Sequence, residues 1–448
     1  MATMIRRLVE RAVAFEEGEL APAVLSAAYF FCLLFGYFML RPLRDAMGLA
    51  SGVDSLRWLF LGTLAVMILA NLVFAAIASR VPRRVFVPLV YGFGVACLVG
   101  FLLAFLALGE ARSETVGKVF YVWLSVFNLM ATAVFWGFMA DIFKKPQAAR
   151  LFGFIAVGGT AGAICGSAWT GLLSEAIGTV GLFAGASFLI LCAGALAIVL
   201  DRVAEGRRMG SAGHTLDAGG ALGGTSWQGV VDVLRSPYLM GIACYVAAFT
   251  IGSTLLYFEK MRIIEGFAET TESRAQVLAW IELGGQTLTV LLQLFVTGRL
   301  MRRLGVGALL AVVPMVTVIG FVGLATAPVL LVLAAFEVAR RASHYALSKP
   351  AREALFTTVP RTDKYKAKGI IDTFVYRGGD TAGTVADAAL AAAGLAAAWL
   401  AVPLGIGSLV VGVWLGRRSN DAEPAASPAP DVPGAAPASL AIPANTHV

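Results

Sequence analysis

Apolar and polar positions alternate on a long wavelength. Runs of about 20 apolar residues, the length a helix needs to cross the hydrocarbon of a bilayer, are separated by polar turns along nearly the whole chain. Six runs, over 23–40, 58–78, 85–108, 116–142, 151–173 and 177–200, precede a long hydrophilic segment at 201–236. Six more follow at 238–258, 276–296, 306–326, 329–347, 370–390 and 395–415. The pattern predicts an all-α membrane protein of twelve transmembrane helices, with an N-terminal half at 22–200, a linker at 201–236 and a C-terminal half at 237–416. Residues 1–21 set Ile5, Leu8, Val9, Ala12 and Phe15 at helical spacing among charges, which predicts an amphipathic helix on the membrane surface. Residues 417–448, rich in Ala, Pro and Ser, cannot build a core and read as a disordered tail.

Composition supports this picture and removes others. The chain is 58% hydrophobic and 14% charged, whereas a soluble chain of this length would carry far more charge. Its net charge of +7 does not imply a nucleic-acid partner, because Lys and Arg collect in loops on one side of a membrane. Here they favour the side of the two termini by roughly three to one, which predicts that both termini are cytoplasmic. The five cysteines all lie inside apolar runs without metal-type spacing. They read as small packing residues, and no disulfide framework is expected.

The two halves read as a parallel repeat. The basic turn Arg80-Val-Pro-Arg83-Arg84 recurs as Arg299-Leu-Met-Arg302-Arg303. Gly158-Gly159-Thr160-Ala161-Gly162 recurs as Gly378-Gly379-Asp380-Thr381-Ala382-Gly383, with one residue inserted. Each half also opens on an amphipathic stretch followed by Pro22 or Pro237. Six spans, a loop and six related spans is the layout of the major facilitator architecture, whose substrate site lies between the halves near mid-membrane. The paired glycines predict close helix packing rather than a phosphate loop, since no strand precedes them and no Gly-Lys-Ser/Thr follows.

Ionisable groups inside the apolar runs mark the candidate site, because such groups normally face a bundle interior or a water-filled cavity. The 370–390 run carries Asp372, Arg377, Asp380 and Asp387, and at about 100° per residue the three acids share one arc with Tyr376 and Gly383. The 329–347 run sets Glu337, Arg340, Arg341 and His344 on a strip that continues to Ser348. Glu282 starts another strip with Gln286, Thr289 and Gln293, and the fourth run carries an uncharged one, Tyr121, Ser125, Asn128, Thr132 and Trp136. Arg41 and Arg44 close the first run; Glu259, Lys260 and Arg262 close the seventh. Structural readings stand beside functional ones. Glu337 and Arg341 can form a lock, the Gln and Thr strips can be interhelical hydrogen bonds, and His344 can be a hydrogen-bonded helix partner. Arg41 and Arg44 can snorkel to the membrane surface. Arg377 has no route to an interface and is the strongest candidate for ligand contact.

Three segments carry a family resemblance. They are Tyr29-Phe-Phe-Cys-Leu-Leu-Phe-Gly-Tyr-Phe-Met-Leu-Arg-Pro-Leu-Arg-Asp45, Phe135-Trp-Gly-Phe-Met-Ala-Asp141 with Arg150-Leu-Phe-Gly-Phe-Ile-Ala-Val-Gly-Gly159, and Lys364-Tyr-Lys-Ala-Lys-Gly-Ile-Ile-Asp372 running into Arg377-Gly-Gly379. Together they resemble the nucleotide (ATP/ADP) antiporter family of plastids and intracellular bacteria, or its branch in free-living bacteria. The resemblance implies a multi-pass carrier of the bacterial inner membrane that exchanges nucleotides. It also implies substrate contact by a basic residue near the end of the first span and another in the eleventh, which by position are Arg44 and Arg377. The sequence departs from that family at two acids, a Glu in the fourth span and one in the seventh, since 123–128 and 250–257 contain none.

These readings converge on a carrier that rocks one half against the other around a charged central cavity. Arg44, Lys260, Arg340, Arg341 and Arg377 are the expected anion-binding groups, because guanidinium forks match phosphate oxygens. Glu282, Glu337, Asp372, Asp380 and Asp387 are expected to pair with the empty bases or to couple transport. The expected partners are the lipid bilayer and a small anion, possible nucleotides included. A proton-coupled carrier of another organic solute, with Asp372, Asp380 or Glu282 titrating, is the alternative, and a non-transporting scaffold is a reading of another class. An enzyme is not expected, since there is no compact nucleophile–base motif and no metal-ligand cluster, and no cofactor is implied.

Overall fold

A computed structural model describes residues 16, 18–78, 80–81, 83–108, 110–209, 233–356, 367–368 and 370–422. Most of the expected surface helix at 1–21, most of the 201–236 linker and the tail beyond 422 lie outside these residues. The elements are helical throughout. α1 (Leu20–Leu49), α2 (Gly52–Ala78), α3 (Arg83–Leu108) and α4 (Glu110–Ile142) come first. The stretch Lys145–Met209 is divided at Gly178, whose φ of 63° is a left-handed conformation that glycine adopts without steric cost. This gives α5 (145–177) and α6 (179–209). α7 (Pro237–Phe267) starts with Ser236 as N-cap, its hydroxyl accepting from the Leu239 N–H, and with Pro237 in the first turn. Gly305, with φ of 73°, separates α8 (271–304) from α9 (306–326), and α8 passes a π turn at Gln293–Thr297. α10 (330–355) passes a π turn at His344–Ser348, and α11 (371–392) begins on another at Ile371–Val375. α12 (Ala398–Ala422) runs past the expected end at 416.

Among the described residues, hydropathy and length identify eight helical runs able to cross a membrane. Two of them, Arg150–Glu205 and Thr271–Thr326, contain 56 residues each. At about 1.5 Å per residue each is more than twice the bilayer thickness, and each contains one of the glycine breaks, so these two runs make four crossings. α10 and α11 complete the set of twelve. They escape the hydropathy criterion because they carry the charges discussed below.

The repeat seen in the sequence is a packing repeat. Gly158, Gly162 and Gly166 of α5 recur at every fourth position against the backbone carbonyls of Ala27, Phe31 and Phe35 on α1, where a Cβ would collide with each. Small residues at this spacing let two helix backbones approach closely. In the other half, Gly379 and Gly383 of α11 lie against Thr250 and Thr254 of α7. Gly378 faces open space, so only one glycine of the second pair serves packing. Leu69, Phe93, Leu103, Phe188, Ile319 and Trp399 are exposed around the perimeter, as expected of surface that meets lipid chains.

Because the helices alternate in direction, Leu20, Met209, Pro237 and Ala422 lie at one end, called here the terminal end. The 49–52, 178, 267–271 and 392–398 connections lie at the other, the far end. Every hydrogen bond or ion pair that joins the two halves between described residues lies within roughly three turns of the far end. Examples are Arg57 to Asp387, Thr179 to Glu272 and Tyr121 to Tyr257. The halves are therefore sealed at the far end, and between described residues no such bond braces them at the terminal end.

Candidate functional site

A cavity of about 310 Å³ lies between the halves at mid-height, lined from α1, α2, α4, α7, α8, α10 and α11. Its charged residues are Arg41, Arg44, Lys260, Arg340, Arg341 and Arg377 on one side of the balance, and Asp45, Glu282, Glu337 and Asp380 on the other. Among the described lining residues bases outnumber acids six to four, a formal excess of two positive charges.

One ladder of alternating charge crosses the cavity wall. Lys260 of α7 donates to Glu337 of α10 at 3.3 Å, and Arg341, one turn along α10, reaches the same carboxylate at 3.0 Å. Arg341 also pairs with Glu282 of α8, which accepts from Arg41 of α1 at 3.1 Å and from Gln286 at 3.1 Å. The ladder belongs to the C-terminal half except for Arg41, so the Arg41–Glu282 pair ties the two halves together at the cavity. A second connection is built on α1. Arg44 donates to Asp45 at 3.0 Å and to Ser125 at 2.9 Å, and it lies over the Tyr121 ring. Tyr257 of α7 then joins Asp45 at 3.2 Å and Tyr121 at 3.0 Å.

Arg340 is different. It is buried, and its guanidinium donates to Thr317 at 3.0 Å, to the Phe249 carbonyl at 3.0 Å and to Ser253 at 2.9 Å. It also sits over the Phe249 ring, 4.8 Å from the centroid. All its hydrogen-bond partners are neutral, and among the described residues no carboxylate pairs with it. A buried cation of this kind is costly without an anion. Arg377 lies nearby in the lining, about two-fifths exposed, and among the described residues its one ion-pair partner is Asp380 at 3.4 Å. Phe249 stacks on His344 with centroids 3.9 Å apart, and His344 meets Tyr345 edge-on. With Tyr376, they give this part of the cavity an aromatic wall.

Eight of the ten residues expected from the sequence to bind or pair thus line one cavity: Arg44, Lys260, Arg340, Arg341, Arg377, Glu282, Glu337 and Asp380. The other two do not. Asp372 pairs with Arg352 at 3.2 Å toward the terminal end, and Asp387 is buried near the far end between Arg57 and Arg262. They share an arc of α11 with Asp380, but a helix rises about 1.5 Å per residue, so eight and seven residues separate them from the cavity by roughly 12 and 10 Å of height. Both form ion pairs, but with arginines other than those of the cavity. In the uncharged strip of α4, Tyr121 and Ser125 reach the cavity. Asn128 instead lines a small apolar cleft with Leu33 and Phe127. Beyond Glu282, Gln286 supports the Glu282 carboxylate, Thr289 bonds back to the Gly285 carbonyl of its own helix, and Gln293 reaches the Tyr345 carbonyl of α10 at 3.3 Å. Arg41 and Asp45 join the site, and their signal was their place at the charged end of the first run. Tyr257 had no signal, since a tyrosine in an apolar run looks like packing.

The Major Facilitator Superfamily model matches residues 27–340. No curated relative matches the sequence. Among solved structures, the nucleoside transporter NupG is similar with a TM-score of 0.55 at 13% identity, over 90% of this chain and 99% of that one. A POT family peptide transporter in an auto-inhibited state is similar with a TM-score of 0.57 at 15% identity, over 89% and 97%. The POT family transporter PepTSo gives 0.56 at 12% identity, over 90% and 98%. At these identities the likeness is one of fold.

Proposed function

The chain belongs to the Major Facilitator Superfamily, and we propose that it carries a small phosphorylated anion, a nucleotide in the first instance, by alternating access of the central cavity to the two sides of the membrane. The observation that carries this reading is Arg340, a buried guanidinium bordering the cavity whose hydrogen-bond partners among the described residues are all neutral. A phosphate group docked on Arg340 and Arg377 would give both guanidinium groups charge-assisted hydrogen bonds. The excess of two positive charges in the lining acts in the same direction. The wall made by Phe249, His344, Tyr345 and Tyr376 offers a planar ring a stacking surface. Exchange of ATP for ADP is the finer form of the proposal and rests on the resemblance at Arg44 and Arg377.

Uptake of labelled ADP into proteoliposomes preloaded with, or lacking, nucleotide tests the proposal. Arg340→Ala is expected to lower uptake by about 100-fold, the value of roughly 3 kcal/mol for a charge-assisted contact. Failure of ADP and ATP to enter under every loading condition would remove the nucleotide reading. A second reading has its own observation: among the described residues Asp380, in the cavity, has two loose partners, Arg377 at 3.4 Å and Thr254 at 3.5 Å, a setting suited to proton coupling. Uptake that needs an inward proton gradient and no counter-substrate would favour it.

A further inference from the structure

Of the hydrogen bonds and ion pairs that join the halves between described residues, two sets border the cavity and so lie within reach of a bound ligand. One is the Arg41–Glu282 ion pair; the other is the tyrosine bridge from Tyr121 and Tyr257 to Asp45. Glu282 is buried, and its carboxylate is held by Arg41 from the N-terminal half and by Arg341 and Gln286 from its own. Its carboxylate lies between two guanidinium groups that both face the cavity, which is the position an anionic ligand of that cavity would compete for.

We infer that Glu282 is a built-in surrogate for the substrate anion: it occupies Arg41 and Arg341 when the cavity is empty, and the carrier reorients only when an incoming anion takes its place on Arg41. The inference rests on the proposed anion-carrier reading and assigns the regulation of that site. Separating the halves at the far end of the empty carrier breaks the Arg41–Glu282 pair: Glu282 keeps Arg341, but Arg41 is left without a carboxylate, which is unfavourable for a part-buried charge. With an anion on Arg41, the guanidinium keeps a partner as the halves part, and Glu282 keeps Arg341. A ligand shifts an equilibrium only by its differential interaction with the two states, and displacement of Glu282 supplies that difference. The consequence is strict exchange, because return of the empty carrier is the step Glu282 blocks. A neutral solute cannot substitute for a carboxylate between two arginines, so Glu282 also selects for negative charge.

The test reads the far-end seal directly and needs no transported substrate. Spin labels at Ala176→Cys and Glu269→Cys, both exposed on opposite sides of the seal, report its width by pulsed electron paramagnetic resonance in the full-length chain with its native cysteines replaced. Without ligand the parent should show one short distance, and Glu282→Gln should raise a separated population about tenfold or more. Adding ADP, or in a separate arm inorganic phosphate, should widen the parent and leave Glu282→Gln unchanged. If Glu282→Gln does not fold, Arg41→Gln removes the same pair from the other side and carries the same expectation. A variant with the parent's distance distribution overturns the inference, whatever ADP does. A widened variant with no response to ADP in the parent retires the nucleotide reading and leaves Glu282 as the block.

Discussion

Glu282 and Asp387 are built alike and placed differently. Each is a buried carboxylate of the C-terminal half that holds one arginine from each half: Arg41 and Arg341 at Glu282, Arg57 and Arg262 at Asp387. Glu282 borders the central cavity. Asp387 lies near the far end, and each of its arginines has a second acid, Asp54 for Arg57 and Glu259 for Arg262. The same ion-pair motif therefore serves two purposes. One copy is within reach of a ligand and can be displaced. The other is out of reach and sets how firmly the seal rests closed.

Asp387→Asn is the larger way to strain this comparison. Breaking a fully buried pair costs about 3–5 kcal/mol, but Arg262 is part-exposed and both arginines keep their second acid. An effect of about 2 kcal/mol on the closed state remains, roughly a 30-fold rise in far-end opening. Measured across the same labelled pair, Asp387→Asn should raise the baseline and leave the increment caused by an anion intact. Glu282→Gln should raise the baseline and abolish the increment. Loss of the increment in both would show that the two clusters are not separable. Tyr257→Phe refines the comparison on a smaller scale. It removes the hydroxyl that joins Asp45 and Tyr121 without removing a charge, and about 1 kcal/mol, a few-fold shift of the seal, is expected. A shift as large as that of Glu282→Gln would move the ligand-sensitive link from the ion pair to the tyrosines.

The number of helices and their division into two related halves were legible in the sequence because lipid imposes a length and an apolar composition on each crossing. The glycine repeat foretold close helix packing at α5 and α11; that each presses against the first helix of its half is seen only in three dimensions. Helix ends were less legible. Arg57 and Arg352 were read as loop residues, yet α2 begins at Gly52 and α10 continues to Leu355. Hydropathy reports where lipid is tolerated, whereas a helix continues through charges that the protein itself pairs. Asp372 and Asp387 fell outside the cavity for a related reason: a helical wheel preserves the face of a residue and discards its height. Arg341 pairing with Glu337 was visible as an i, i+4 spacing, but its second partner, Glu282, lies on another helix and could be found only in three dimensions.

The polar character of α10 bears on how the protein is made. On an insertion scale an Arg or Asp at the centre of a span costs about 2.5–3.5 kcal/mol, and α10 brings Glu337, Arg340 and Arg341 together. Two of the charges that neutralise them, Lys260 and Glu282, belong to α7 and α8 and leave the ribosome earlier. The direction of synthesis thus prepares a polar berth before the helix that needs it arrives. Neutralising Lys260 and Glu282 together should lower the fraction of α10 that becomes membrane-integrated in a glycosylation-mapping assay. Integration at the parent level would show that the translocon and lipid admit α10 without its earlier partners.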